Sequence, residues 1–118
     1  MDQKTSVCNV KVQNLRPKYK NLKEWCEDKT NVYIGRKGIV FIDGERYPKN
    51  DSIWCNPFKI TDTETREKVL EKYCSYIIEK IKTNKLETEL EQLRGKNLGC
   101  WCYPEACHGD ILVALLSV

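Results

Sequence analysis

The chain has 118 residues, 41% hydrophobic and 31% charged, a balance that excludes a disordered polymer and gives room for one core but not two. One domain over residues 1–118 is therefore expected. Twenty Lys and Arg stand against 17 Asp and Glu, a net charge of +3 with no long block of either sign, so charge neither indicates a nucleic-acid partner nor excludes a small anion.

Along the chain, residues 7–12 alternate, with Cys8, Val10 and Val12 on one face, and read as a strand. Arg16-Pro17 breaks it, and residues 21–27 form helical turns around Leu22, Trp25 and Cys26. Residues 32–34 read as a buried strand ending at Gly35-Arg36-Lys37-Gly38. A second apolar run over 39–42 closes at the turn signal Asp43-Gly44. Residues 45–58 lack periodicity; a loop of that length is commonly functional, and Trp54, Pro57 and Phe58 point to an ordered one. Thr61-Asp62-Thr63-Glu64 fits a capping box at the start of a long helix, about 63–83. Its stripe of Val69, Leu70, Tyr73, Cys74, Ile77, Ile78 and Ile81 recurs at helical spacing. Leu86, Leu90 and Leu93 mark a second helix stopped by Gly95. Residues 96–102 read as a strand, and Asp110 caps a last helix whose residues 111–116 are apolar all round and so buried. That run is far short of the roughly 20 residues needed to cross a bilayer, so no membrane association is expected. Strand, helical crossover and strand make a βαβ unit. The fold class is α/β: a small single domain with a short sheet containing this parallel unit and a buried C-terminal helix.

Near the end of the chain, Cys100, Cys102 and Cys107 stand with His108, the only histidine, within nine positions. Thiolate and imidazole are the ligands zinc favours, usually four in a tetrahedron. In extended backbone Cys100 and Cys102 share a face, and the turn at Pro104 and Gly109 brings Cys107 and His108 back toward it. The expectation is a zinc site of Cys100, Cys102, Cys107 and His108, with Cys55 next in line as a ligand. The bland alternative is that the cysteines pack as small hydrophobes. Seven cysteines would also suit a disulfide scaffold, but residues 1–6 show no apolar secretion signal and an odd count cannot pair completely. A reducing, intracellular, cytoplasmic setting is expected.

Ligands of parallel sheets bind beyond the carboxyl ends of the strands, here Gly35-Arg36 and Trp101-Cys102. Arg36 brings a fork of donors suited to phosphate, Asn56 an amide able to read a polar edge, and helix starts near Thr61 and Asp110 add free N–H groups. The alternatives are a solvated turn for Arg36 and Lys37, and core lining for Trp54 and Phe58.

Val32-Tyr33-Ile34-Gly35-Arg36, Asn56-Pro57-Phe58, Cys100-Trp101-Cys102-Tyr103-Pro104 and Cys107-His108-Gly109-Asp110 together resemble the family catalogued as domain of unknown function 4326, over about residues 31–116. Such domains occur in bacteria, phages and large DNA viruses. The resemblance implies that Gly35-Arg36, Asn56-Pro57-Phe58, the three cysteines and His108 belong to one site. It implies a viral or phage origin, hence a host cytoplasm, and no established activity. The family usually carries glycine where this chain has Cys55.

Two functions follow as expectations. In one, the domain binds or acts on a nucleotide or similar small anion, as a hydrolase or transferase if it is an enzyme; Arg36 and Asn56 hold the ligand and His108 or Asp110 moves a proton. In the other, it is a zinc-stabilised module that binds protein or nucleic acid without catalysis. A metal-free variant makes Cys102 or Cys107 a thiolate activated by His108. The sequence leaves oligomeric state open.

Overall fold

The computed structural model describes residues 4–58, 61, 63–101 and 107–116. In chain order its elements are β1 (Ser6–Asn9), α1 (Val12–Leu15), α2 (Leu22–Glu27), β2 (Asn31–Tyr33), β3 (Val40–Ile42), β4 (Glu45–Tyr47), α3 (Arg66–Asn84), α4 (Glu87–Glu91), β5 (Asn97–Cys100) and α5 (His108–Leu116). The main sheet has the order β1-β5-β2 and is parallel throughout, with Leu98 between Val7 and Val32. The α/β class and the parallel crossover are thus as expected.

Both faces of this sheet are covered, as parallel sheets require, and the pleat sorts side chains between two cores. Ile34, Leu98 and Cys100 face the larger one, with Tyr73, Ile77 and Ile81 of α3 and Leu112 and Leu116 of α5. Val10, Leu15, Leu22 and Trp25 form the smaller core on the opposite face, with Cys8 and Tyr33 packed against it. Gly99 sits between Leu98 and Cys100 and admits the Trp25 ring: a Cβ there would lie 2.4 Å from Trp25 Cη2 and 2.6 Å from Val10 Cγ1. Gly109 has the matching role under α5, where a Cβ would meet Ile34 at 3.0 Å and Val7 at 3.1 Å.

Local chemistry explains most boundaries. α3 buries Val69, Tyr73, Ile77 and Ile81, the stripe that the 3.6-residue period marks. Its cap is Thr65, whose hydroxyl accepts from Lys68 N at 3.3 Å, so the helix begins at Arg66. Only half of the expected capping box forms: Thr61 Oγ1 accepts from Glu64 N at 3.1 Å, while the Glu64 carboxylate turns to Lys72. The first strand also ends early. The Asn9 side chain accepts from Lys11 N at 2.9 Å, the backbone turns, and Val12 opens α1 with 46% exposure instead of continuing the face of Val10.

The stretch after Asp43-Gly44 is the main departure. Asp43 and Gly44 both take positive φ, 54° and 81°, as a two-residue hairpin turn demands. Glu45–Tyr47 therefore pairs antiparallel with Val40–Ile42. Glu-Arg-Tyr shows no apolar alternation, which is why periodicity marks no strand there. α5 buries Gly109, Leu112 and Leu116 but leaves Ala114 and Asp110 exposed, so it is buried on one face and not all round.

Candidate functional site

β2 and β5 end side by side, and the chain beyond them builds a cavity of about 400 Å³. Arg36, Asn56, Arg66 and His108 supply its polar wall. Ile39, Phe58, Leu70 and Trp101 supply much of its apolar wall, and Cys100 and Cys107 of the larger core also line it.

Arg36 shapes this cavity. Its Nε and Nη2 donate to the Asn56 carbonyl at 2.9 and 2.6 Å, and Nη2 reaches the Phe58 carbonyl at 3.2 Å. The fork thus grips the 52–58 loop, and Nη1 alone has no partner among the described residues. The loop is further ordered by Ser52 N on the Gly35 carbonyl at 3.0 Å, by the Tyr73 hydroxyl on the Trp54 carbonyl at 2.8 Å and by Lys80 Nζ on the Ile53 carbonyl at 2.6 Å. Asn56 folds its Oδ1 back to accept from Phe58 N at 2.9 Å, which leaves its amide N–H groups without a partner among the described residues. The Trp101 indole donates to the Tyr33 hydroxyl at 2.8 Å, which donates to the Arg36 carbonyl at 2.7 Å. Burial pushes the Tyr33 phenol up to about 12, so it stays a donor at neutral pH.

His108 is the first residue of α5, and its Nε2 lies 2.6 Å from the Ile34 carbonyl oxygen. A carbonyl only accepts, so Nε2 carries the proton and Nδ1 the lone pair. Burial lowers its pKa, and the Arg36 charge acts in the same direction, so the ring is neutral at pH 7. The edge of the Tyr73 ring packs against it, with centroids 5.1 Å apart.

Cys100 Sγ and Cys107 Sγ are 3.1 Å apart, both buried. Contact with Cys100, reinforced by burial, raises the Cys107 thiol far above its ordinary value. Two of the four expected zinc ligands therefore meet. Cys102 and the Tyr103-Pro104 turn lie outside the described residues. Among the described residues no three His, Cys, Asp or Glu side chains are grouped to hold a metal ion, and Cys55, half-buried, joins no such group.

Asp110 is at the third position of α5, where its Oδ2 accepts from Cys107 N at 3.0 Å. It caps the helix from inside the first turn and is not among the residues lining the cavity. The structure thus brings Arg36, Asn56 and His108 together and leaves Asp110 outside. Arg66 was not foreseen as a wall residue. Its signal was the Thr65 cap, which places Arg66 first in α3, at the same rim as the strand ends.

The family described as domain of unknown function DUF4326 matches residues 17–118. The chain belongs to this family. An uncharacterized protein of Acanthamoeba polyphaga mimivirus is 37% identical over 96 residues, covering 75% of this chain and 68% of its own length. An uncharacterized 12.4 kDa protein from the nrdA-td intergenic region of Enterobacteria phage T4 is 39% identical over 57 residues, 48% of this chain. The match spans about half of that phage protein, 53%. No solved structure matches the chain. This DUF4326 domain therefore has relatives in a giant virus and a phage, and no helix among its described residues is long and apolar enough to cross a membrane.

Proposed function

We propose that the cavity binds a nucleotide or similar small anion, with hydrolysis or group transfer as the chemistry open to it. The observation that carries this reading is the convergence of Arg36, Asn56, Arg66 and His108 on one cavity beyond the ends of β2 and β5. The free hydrogen-bonding groups are unequal in kind: Arg36 Nη1 and the Asn56 amide donate, and His108 Nδ1 accepts. Donors beside two guanidinium groups suit phosphate oxygens, and a neutral imidazole suits a hydroxyl or water whose proton must leave. The apolar wall offers Phe58 and Trp101 to a planar ring. About 400 Å³ lies toward the small end of the roughly 300–1,000 Å³ usual for ligand sites, which fits a single nucleotide better than a dinucleotide. Calorimetric titration with nucleoside mono-, di- and triphosphates tests this. Saturable binding, weakened about tenfold or more by Arg66→Ala through loss of a charged donor, is expected. No heat with any of them, or with inorganic phosphate, refutes it.

The contact between Cys100 and Cys107 favours a second reading, a zinc-stabilised interaction module. There Cys100, Cys102 and Cys107 would ligate with His108 through Nδ1, its Nε2–H being oriented by Ile34 as carbonyls orient metal-bound imidazoles. Two thiolates on one zinc sit roughly 3.8 Å apart, so the sulfurs would separate slightly from 3.1 Å. Elemental analysis of untagged protein purified under reducing conditions decides: about one zinc per chain supports it, and substoichiometric metal rejects it.

A further inference from the structure

We infer that the nucleotide taken by the cavity is one unit of a single-stranded nucleic acid, whose neighbouring units lie along the outer face of the β3–β4 hairpin. The inference rests on the nucleotide reading above and adds what the ligand is attached to. Val40, Ile42 and Tyr47 of the hairpin pack against the smaller core, so Phe41 must turn outward, and it is 67% exposed. Arg46 stands opposite Phe41 in the register, its guanidinium 4.8 Å from the ring centroid. Two positions before Phe41 and on its face, Ile39 is 47% exposed and lines the cavity. An exposed apolar stripe thus runs from the cavity mouth to an aromatic ring in solvent.

Beside that ring lies a groove of about 480 Å³ lined by Lys37, Gly38, Arg46, Pro48 and Lys49. Every charged residue in its lining is cationic, and Arg46 belongs to both groove and aromatic platform. Two carboxylates adjoin it. Asp51 is engaged by Lys37 N at 2.8 Å, and Glu45 meets Lys49 at 3.7 Å with both side chains about three-quarters exposed. Such a solvated pair is weak, so a phosphate can take over Lys49. A cationic track beside an exposed aromatic ring is how proteins hold single strands, phosphates on the charges and a base on the ring. A free mononucleotide inside the cavity uses neither feature.

The test is fluorescence anisotropy with a labelled oligothymidylate of roughly ten nucleotides, run beside calorimetry with thymidine monophosphate. The oligonucleotide is expected to bind at least about tenfold more tightly than the monophosphate and to weaken steeply with salt. Phe41→Ala should weaken the oligonucleotide about fivefold or more, the lower range for one lost base stack, and Arg46→Glu at least as much. Neither change should alter monophosphate binding, and circular dichroism checks that both variants fold. Oligonucleotide and monophosphate binding equally well overturns the strand inference while the cavity reading stands. Equal binding of polyglutamate also overturns it, since any polyanion would then serve. If neither nucleotide ligand binds, the strand inference falls, and the cavity reading falls with it only when the mono-, di- and triphosphate series and inorganic phosphate also give no heat.

Discussion

The imidazole of His108 and the backbone of Ile34 are joined by a bond of 2.6 Å from Nε2 to the carbonyl oxygen, which ties the first turn of α5 to the end of β2. The bond sets the tautomer, and burial sets the charge. Because burial lowers the pKa of His108 from the ordinary 6.5, the unfolded chain takes up a proton at pH values where the folded chain does not. Its contribution to stability is therefore complete above about pH 6.5 and is lost as pH falls toward the folded value. Thermal unfolding should show a lower midpoint at about pH 5 than at about pH 7. His108→Gln, which keeps an N–H for Ile34, should flatten that dependence. An unchanged pH profile in the variant would place the titration elsewhere.

Arg36→Lys separates the two roles of Arg36. As a surface charge alone, it would tolerate lysine with little effect on stability. As the clamp on the Asn56 and Phe58 carbonyls, it cannot, because lysine lacks the planar fork. The expected cost is about 1–3 kcal/mol, the scale of charged hydrogen bonds lost. It should come with faster amide exchange in the 52–58 loop, and hydrogen exchange with denaturant unfolding reads both.

Packing against the sheet gives two comparisons. Ile77 is fully buried, so Ile77→Ala should cost about 2–5 kcal/mol in equilibrium denaturation. Gly99→Ala adds a single methyl on the other face, into Trp25 and Val10. Neither neighbour can withdraw without moving α2 or β1, and a loss of about 1–3 kcal/mol is expected. A stable Gly99→Ala protein would mean that α2 does not seat on β5.

Thiol accessibility checks the interior around β5. Cys100 and Cys107 are buried, whereas Cys8, Cys26, Cys55 and Cys74 are half-buried. In native protein as purified, a disulfide reagent followed by peptide mass mapping should label Cys100 and Cys107 last among these six cysteines, because buried thiols react slowly. Early labelling of Cys107 would show that its thiol opens to solvent. Slow labelling abolished by a chelator would instead point to zinc.

The sequence by itself determined the features that periodicity, turn chemistry and connection rules mark: the apolar stripe of α3, the parallel crossover and the turn at Asp43-Gly44. These follow from local periodicity and from the handedness of chain connections, which act over short stretches. Tertiary structure decided what each group is free to do. Arg36 became a loop clamp because the carbonyls of Asn56 and Phe58 come within its reach. Asp110, expected as a cap, keeps that role from the third position of α5 and is held outside the cavity it was also expected to serve. Arg66 entered the cavity wall when Thr65, and not Thr61, supplied the helix cap. Cys100 and Cys107 meet because Gly109 lets α5 approach Ile34 and Val7 so closely. Each outcome depends on which distant partner satisfies a polar group or fills a gap, and that competition is settled only when the cores on both faces of the sheet close.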